Sequence, residues 1–319
     1  MGTRRRLPPH RSAPADWPAL AYEDGRETLA TLHMWTQIVG KVRMELTPWI
    51  NHSWSVPLYV SPRGLRTSPI PAGSEAFEIE LDFIDHRLPI VKSDGTTRSL
   101  ELRARSVSDF YRDLLATLAR MGIEVTIHPV PNEVQDAIPF PEDETHADYD
   151  PAYANRLFRA LLQIDRVFTE FRSRFIGKAS PVHFFWGSFD LAVTRFSGEG
   201  APPHPGGIPN LPDEITREAY SHEVSSCGFW PGNDDVPRAI FYCYAYPTPE
   251  GFSTSAVEPE TASWSPELGE FVLPYEAVRT SSDPDATLLS FLQSTYSAAA
   301  DRMGWDREAL ERPPGYRPL

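Results

Sequence analysis

Cysteine is scarce in this 319-residue chain: only Cys227 and Cys243 are present. That excludes a disulfide framework and a CxxC site. Both fall in predicted strands and read as small core residues. No apolar run approaches the roughly 20 residues that span a bilayer. The start, Arg4-Arg5-Arg6 followed by Pro8, Pro9 and Pro14, has no apolar h-region and is not a signal peptide. These absences predict a soluble, cytoplasmic protein with no membrane partner. Basic residues are the minority, 30 against 44 acidic, for a net charge of −14. A field of that sign repels phosphate backbones and argues against nucleic acid as a partner. Signature motifs are missing as well. There is no HExxH or HxH. Trp186-Gly187-Ser188-Phe189 lacks the second glycine of a nucleophile elbow, which disfavours a Ser-His-Asp hydrolase. Gly206-Gly207 sits among prolines, so neither a phosphate loop nor a dinucleotide fingerprint is available, and no cofactor is assigned.

What the chain does have is a core. Its 41% hydrophobic and 12% aromatic content is that of a folded protein, and its 32 prolines point to long ordered loops. It also has an internal pattern. Residues 29–46 laid under 158–175, an offset of 129, align Leu29/Phe158, Leu32/Leu161, Trp35/Ile164, Val39/Phe168, Val42/Phe171 and Leu46/Phe175. Arg120-Met121-Gly122 matches Arg302-Met303-Gly304 at an offset of 182, and Val107/Leu289, Phe110/Leu292 and Leu114/Tyr296 pair with it. A period of this kind predicts an α+β fold of two tandem helix–antiparallel strands–helix copies related by a pseudo-two-fold axis. The alternative is one α+β domain with coincidental spacing.

The spacing at 29, 32, 35, 39, 42 and 46 lays one apolar stripe on a helix, ended by Thr47-Pro48. Strands are predicted at 52–60, 76–84 and 98–105, then a helix over 107–121 capped by Ser106 or Ser108, and a last strand over 123–127. The second copy runs helix 151–176, strands 182–196, 220–229 and 238–246, and helix 284–303. The expected divisions are a disordered basic tail (1–15), a first copy (16–128), an acidic, proline-rich linker (129–150) and a second copy with loop insertions (151–319). Loops as long as those insertions are usually functional or disordered.

The outward strand faces differ between copies. The first carries Glu78, Glu80 and Asp82 beside Glu101, Arg103 and Arg105, an ordinary solvated face. In the second, alternation groups Tyr242, Tyr244 and Tyr246, and separately Phe184, Trp186, Ser188 and Asp190. Aromatic rings with a few convergent polar groups describe a small-ligand pocket, and Gly187 and Gly228 would permit close approach. A packed interface between the copies, its tyrosine hydroxyls bonded locally, is the competing account. His183, Asp190, His222 and Glu223 are the candidate catalytic groups. Trp186, Ser188, Tyr242, Tyr244, Tyr246 and His204 are the candidate ligand-binding ones, with the 198–212 loop as a lid. Alternation sets His183 opposite Asp190 and His222 opposite Glu223, so their convergence needs a twist or a bulge near Gly187. A divalent metal on His183, His204, His222 and Glu223 is a further reading, with its identity open. His222 or Glu223 acting in general acid–base work without a metal is another. His33, His52 and His86 read as structural.

Trp17-Pro18, Leu32-His33-Met34-Trp35-Thr36-Gln37-Ile38-Val39-Gly40-Lys41, Thr67-Ser68-Pro69-Ile70-Pro71, Phe83-Ile84-Asp85-His86-Arg87, His183-to-Arg195 and Ser221-to-Gly232 resemble a bacterial family known only as a domain of unknown function. The resemblance covers about residues 16–312. It implies a full-length, single-family bacterial protein and carries no catalytic assignment. Two functions stand: a protein that binds or transforms a small polar ligand in the second copy, or a non-catalytic interaction scaffold. Oligomeric state is left open.

Overall fold

The computed structural model of the protein describes residues 13–313. Residues 1–12 of the predicted tail lie outside the described residues, and Pro14–Asp16 form a single 3-10 turn. Helix α1 (Tyr22–Leu46) opens with Glu23 and Asp24 in its first turn, where carboxylates offset the exposed N–H groups, and stops before Pro48. Short strands β1 (Tyr59–Val60), β2 (Gly64–Arg66) and β3 (Ile70–Ala72) lead to β4 (Glu75–Asp82), β5 (Arg87–Lys92) and β6 (Thr97–Glu101). These form one antiparallel sheet in the order β1-β2-β4-β5-β6, with β3 also on β4. Helix α2 (Val107–Arg120) follows, capped by Ser106, whose hydroxyl accepts from the Asp109 N–H at 3.3 Å.

Helix α3 (Pro151–Ser173) starts with proline at its first position behind an Asp150 cap. Then come β7 (His183–Phe185), β8 (Asp190–Gly200), α4 (Asp213–Ala219), β9 (His222–Trp230), β10 (Ile240–Tyr246), β11 (Ser263–Ser265), β12 (Glu270–Pro274), α5 (Tyr275–Arg279), α6 (Pro284–Met303) and α7 (Arg307–Leu310). The second antiparallel sheet has the order β11-β12-β10-β9-β8-β7. The fold is therefore α+β, with two six-stranded antiparallel sheets among the described residues. Each half runs long helix, antiparallel sheet, helix. They differ in the broken β2/β3 strand of the first and in α4, α5 and β11 of the second.

The first strands of the halves meet at one seam, where Leu58 and Phe184 exchange both backbone hydrogen bonds at 2.9 Å. One hydrophobic core runs through both halves, from Trp17 to Trp305. Trp35 of α1 stacks on Phe110 of α2 with centroids 4.7 Å apart, and Phe168 of α3 meets Phe241 of β10 at 6.5 Å. Helices α3 and α6 cover one face of the second sheet, burying Phe241, Cys243 and Ala245 along with Val193 and Cys227. Both cysteines are free.

Several predicted elements are replaced. The expected strand 52–60 opens as a 3-10 turn (Asn51–Ser53) with His52 and Ser53 at positive φ, and pairing is confined to the Leu58 bridge and Tyr59–Val60. Residues 123–127 join no ladder. The expected strand 182–196 is a hairpin, because residues 186–189 turn the chain with Phe189 at φ 58°. Segment 129–150 packs onto the body, with Phe140, Asp143 and Tyr149 buried.

Candidate functional site

The face of the second sheet away from α3 and α6 is the floor of a cavity of about 1020 Å³. Alternation presents Asp190, Ala192 and Thr194 from β8, Ser226 and Gly228 from β9, Tyr242 and Tyr244 from β10, and Glu270 from β12. The walls come from elsewhere: Lys41 and Met44 of α1, the stretch from Trp49 to Val56, Asn132 and Glu133, the 185–188 turn, and residues 208–220. First half, second half and the segment between them all contribute.

Asp190 is the best-held polar group. It is buried at the first residue of β8, and its carboxylate accepts hydrogen bonds from the Ser188 and Tyr242 hydroxyls. Tyr242 spans β9 to reach it because residue 228 is glycine. A Cβ there would stand 2.2 Å from the tyrosine Cζ. Gly187 plays a similar part, since a Cβ there would meet Glu133 Oε1 at 2.0 Å. The space under both glycines is thus filled by the protein's own side chains. Burial lifts the Asp190 carboxyl to about 6, against the pull of its two hydroxyl partners. Burial and then the Asp190 charge lift Glu133 to about 7 and Glu270 to about 8. Tyr220 and Tyr244 share a hydroxyl hydrogen bond of 2.8 Å, and burial keeps both phenols protonated, Tyr220 pushed up to about 12. Across the cavity, burial lowers Lys41 to about 8, its ammonium donating to Asn132 Oδ1.

Of the residues singled out from the sequence, Asp190, Trp186, Ser188, Tyr242 and Tyr244 line this cavity. Trp186 is anchored by its Nε1–H to the Val56 carbonyl at 2.9 Å. The convergence of His183, Asp190, His222 and Glu223 does not occur. The 186–189 turn pairs His183 with Ala192 and sends its ring among Trp54, Tyr59 and Phe185, where burial holds it neutral near 3. Glu223 lies on the helix side of β9 and accepts from Trp305 Nε1 at 2.9 Å. His222 sits beside Ser221, with its ring 6.1 Å from that of His52. His204 and Tyr246 stack around Tyr220 outside the lining, and Tyr246 donates to the Pro202 carbonyl. Phe184 turns into the core against Phe189. Among the described residues no three His, Cys, Asp or Glu side chains gather as a metal would require, so the four-ligand reading is withdrawn.

Glu133, Glu270, Lys41 and Tyr220 are the cavity residues the sequence reading missed. Glu133 lies in the proline-rich 129–150 segment. Glu270 opens β12, and its signal was the short apolar run Phe271-Val272-Leu273 after Gly269. The 198–212 loop does reach the site. Its residues 208–212 line the cavity and are tied to the former linker by Glu133 N–H to Pro209 O (2.8 Å) and Asn210 Nδ2 to Val134 O (2.7 Å).

Fold and cavity together define a two-sheet α+β protein with a large concave site where its halves meet. The chain belongs to the family described as "Family of unknown function (DUF5996)", whose profile matches residues 17–312. No curated protein and no solved structure matches it. No helix among the described residues is long and apolar enough to cross a membrane.

Proposed function

We propose that the protein binds a small polar ligand in this cavity and transforms it with Asp190 as the proton-handling group. One observation carries the reading: Asp190, Glu133 and Glu270 converge with Trp186, Tyr242 and Tyr244 on a single concave space between the halves. A carboxyl near 6 in a partly desolvated site has the acidity of a general acid–base at neutral pH. The Ser188 hydroxyl donates to Asp190 Oδ1 and the Tyr242 hydroxyl to Oδ2, so the carboxyl plane is held in one orientation. A cavity of this volume suits a small molecule, and concavity favours a ligand over the flat packed face of an interaction scaffold.

Thermal-shift screening of polar metabolites on the wild type and on the cavity-filling variant Ala192→Trp tests this. Stabilising compounds should lose their effect in the variant. A shift of equal size in both proteins would put binding elsewhere and remove the cavity from consideration.

A further inference from the structure

The charge balance of the cavity is one-sided. Three carboxyls share it, and the charges of Glu133 and Glu270 both act against that of Asp190. Lys41, His52 and His128 line the same cavity, but among the described residues none of them forms an ion pair with any of the three carboxyls. The cations nearby are engaged elsewhere. Lys41 donates to Asn132 and lies 6.0 Å from the Trp186 ring centroid. Lys178 donates to His52 Nε2 at 2.6 Å, while His52 Nδ1–H donates to the Ala219 carbonyl at 3.0 Å. Carboxylates withdrawn from water are ordinarily paired, yet the half-buried Glu133 and Glu270 face the cavity with neither an ion pair nor a side-chain hydrogen bond among the described residues. Around them stand aromatic rings, including Tyr242 and Tyr244 stacked 15° from parallel. Their phenols stay neutral, so the rings add electron-rich faces and no further charge.

An anion entering this space would meet up to three like charges, and a wholly apolar molecule would strand them. A cation supplies what is missing. We propose that the ligand is an organic cation, with an ammonium or guanidinium group set between Asp190, Glu133 and Glu270 and an apolar body against Trp186, Tyr242 and Tyr244. The proposal rests on the cavity being the binding site and adds the chemical class of its occupant. It carries a proton signature. Near neutral pH Glu133 and Glu270 are partly protonated, so seating a cation beside them drives ionisation and releases protons. Lys41, His52 and His128 also face the cavity, so the carboxyl contribution is read by difference on Glu133→Gln and Glu270→Gln.

The test is calorimetric titration of the full chain with three matched probes: tryptamine (cation), tryptophol (neutral) and indole-3-propionate (anion), each in two buffers of different ionisation heat. Tryptamine is expected to bind about tenfold or more tighter than tryptophol, with the anion weakest. Its binding should release protons, and both the tightness and the release should drop in Glu270→Gln, a change that preserves side-chain size. Equal or tighter binding of tryptophol or indole-3-propionate, abolished in Ala192→Trp, would overturn the cation assignment while leaving the cavity as the site. Tryptamine binding unchanged in both Ala192→Trp and Glu270→Gln would overturn the assignment and the cavity together. No measurable tryptamine binding at millimolar concentration would overturn the assignment alone.

Discussion

The outward faces of both six-stranded sheets carry carboxyls, yet only that of the second sheet is the floor of the cavity described above. On the first sheet each acid is answered. Lys92 lies 2.7 Å from Glu75, Arg66 3.8 Å from Glu78, Arg63 2.7 Å from Asp82, and the Ser61 hydroxyl donates to Glu80. The partners come from β2, β5 and the turn before β2 rather than from Glu101, Arg103 and Arg105, because β5 separates β4 from β6. Such pairs leave the Asp82 carboxyl below its usual range, held by Arg63 and the turn N–H groups despite its burial. On the second sheet Asp190 is met only by hydroxyls, those of Ser188 and Tyr242, and Glu270 has no ion pair among the described residues; the acidity of both moves the other way. Pairing and cover, not the number of acids, separate a solvated face from a site.

The comparison can be strained at its base first. If the halves share one core, emptying either main helix should cost alike. Trp35→Ala in α1 and Phe168→Ala in α3 should each destabilise by about 3–5 kcal/mol in urea melts, since both side chains are fully buried. A loss below about 1 kcal/mol at either would mean that half carries little of the core. Next, Gly228→Val should push Tyr242 off Asp190 and cost about 1–3 kcal/mol through overpacking. The thermal shift given by any cavity ligand should vanish with it, and retention of that shift would show the Tyr242–Asp190 bond to be dispensable.

The acids themselves give a pH test. A carboxyl raised in the folded state contributes stability that is complete below its unfolded value near 4 and is lost as pH rises through the folded one. For Glu133 and Glu270 that loss extends to about 7 and 8. The buried His33 and His183, lowered to about 4 and 3, act in the opposite sense but only below about 6.5. Between pH 6.5 and 8 the melting temperature should therefore fall, and Glu270→Gln should recover on the order of 1 kcal/mol at the upper end. A flat profile in that window would deny the carboxyls their special environment. Smallest of all, Arg66→Ala on the first sheet should cost well under about 1 kcal/mol, because its 3.8 Å pair with Glu78 is solvated on both sides.

Elements with a strong period were legible. The stripes of α1, α2, α3 and α6 and the alternation of β4 and β10 fixed those segments to within a few residues, since packing and pattern agree there. Asp190, Trp186 and Tyr242 were legible as cavity residues because a tyrosine-rich strand face is unusual. His183 was misplaced because a four-residue turn with Phe189 at positive φ leaves no mark in the apolar pattern and resets the alternation between β7 and β8. Glu223 falls on the helix side by the alternation of β9 itself, opposite Ser226 and Gly228. Glu133 was beyond reach because its position depends on its own N–H bond to the Pro209 carbonyl and on the side-chain amide bonds that tie Asn132 and Val134 to Asn210, contacts made far along the chain.

The mutual hydrogen bonds of Leu58 and Phe184 have a consequence for how such a protein can change over generations. Trp54 and Val56, just before that seam, and Phe185 and Trp186, just after it, line the same cavity and are tied together by the Trp186 Nε1–H bond to the Val56 carbonyl. A shift of register there would move both pairs at once, so neither half can drift alone without altering what the other recognises. Fragments cut between residues 129 and 150 would each take away part of the cavity lining, and recombination with a relative's half would exchange part of that lining. In heredity, then, the molecule's smallest selectable unit is the joined pair.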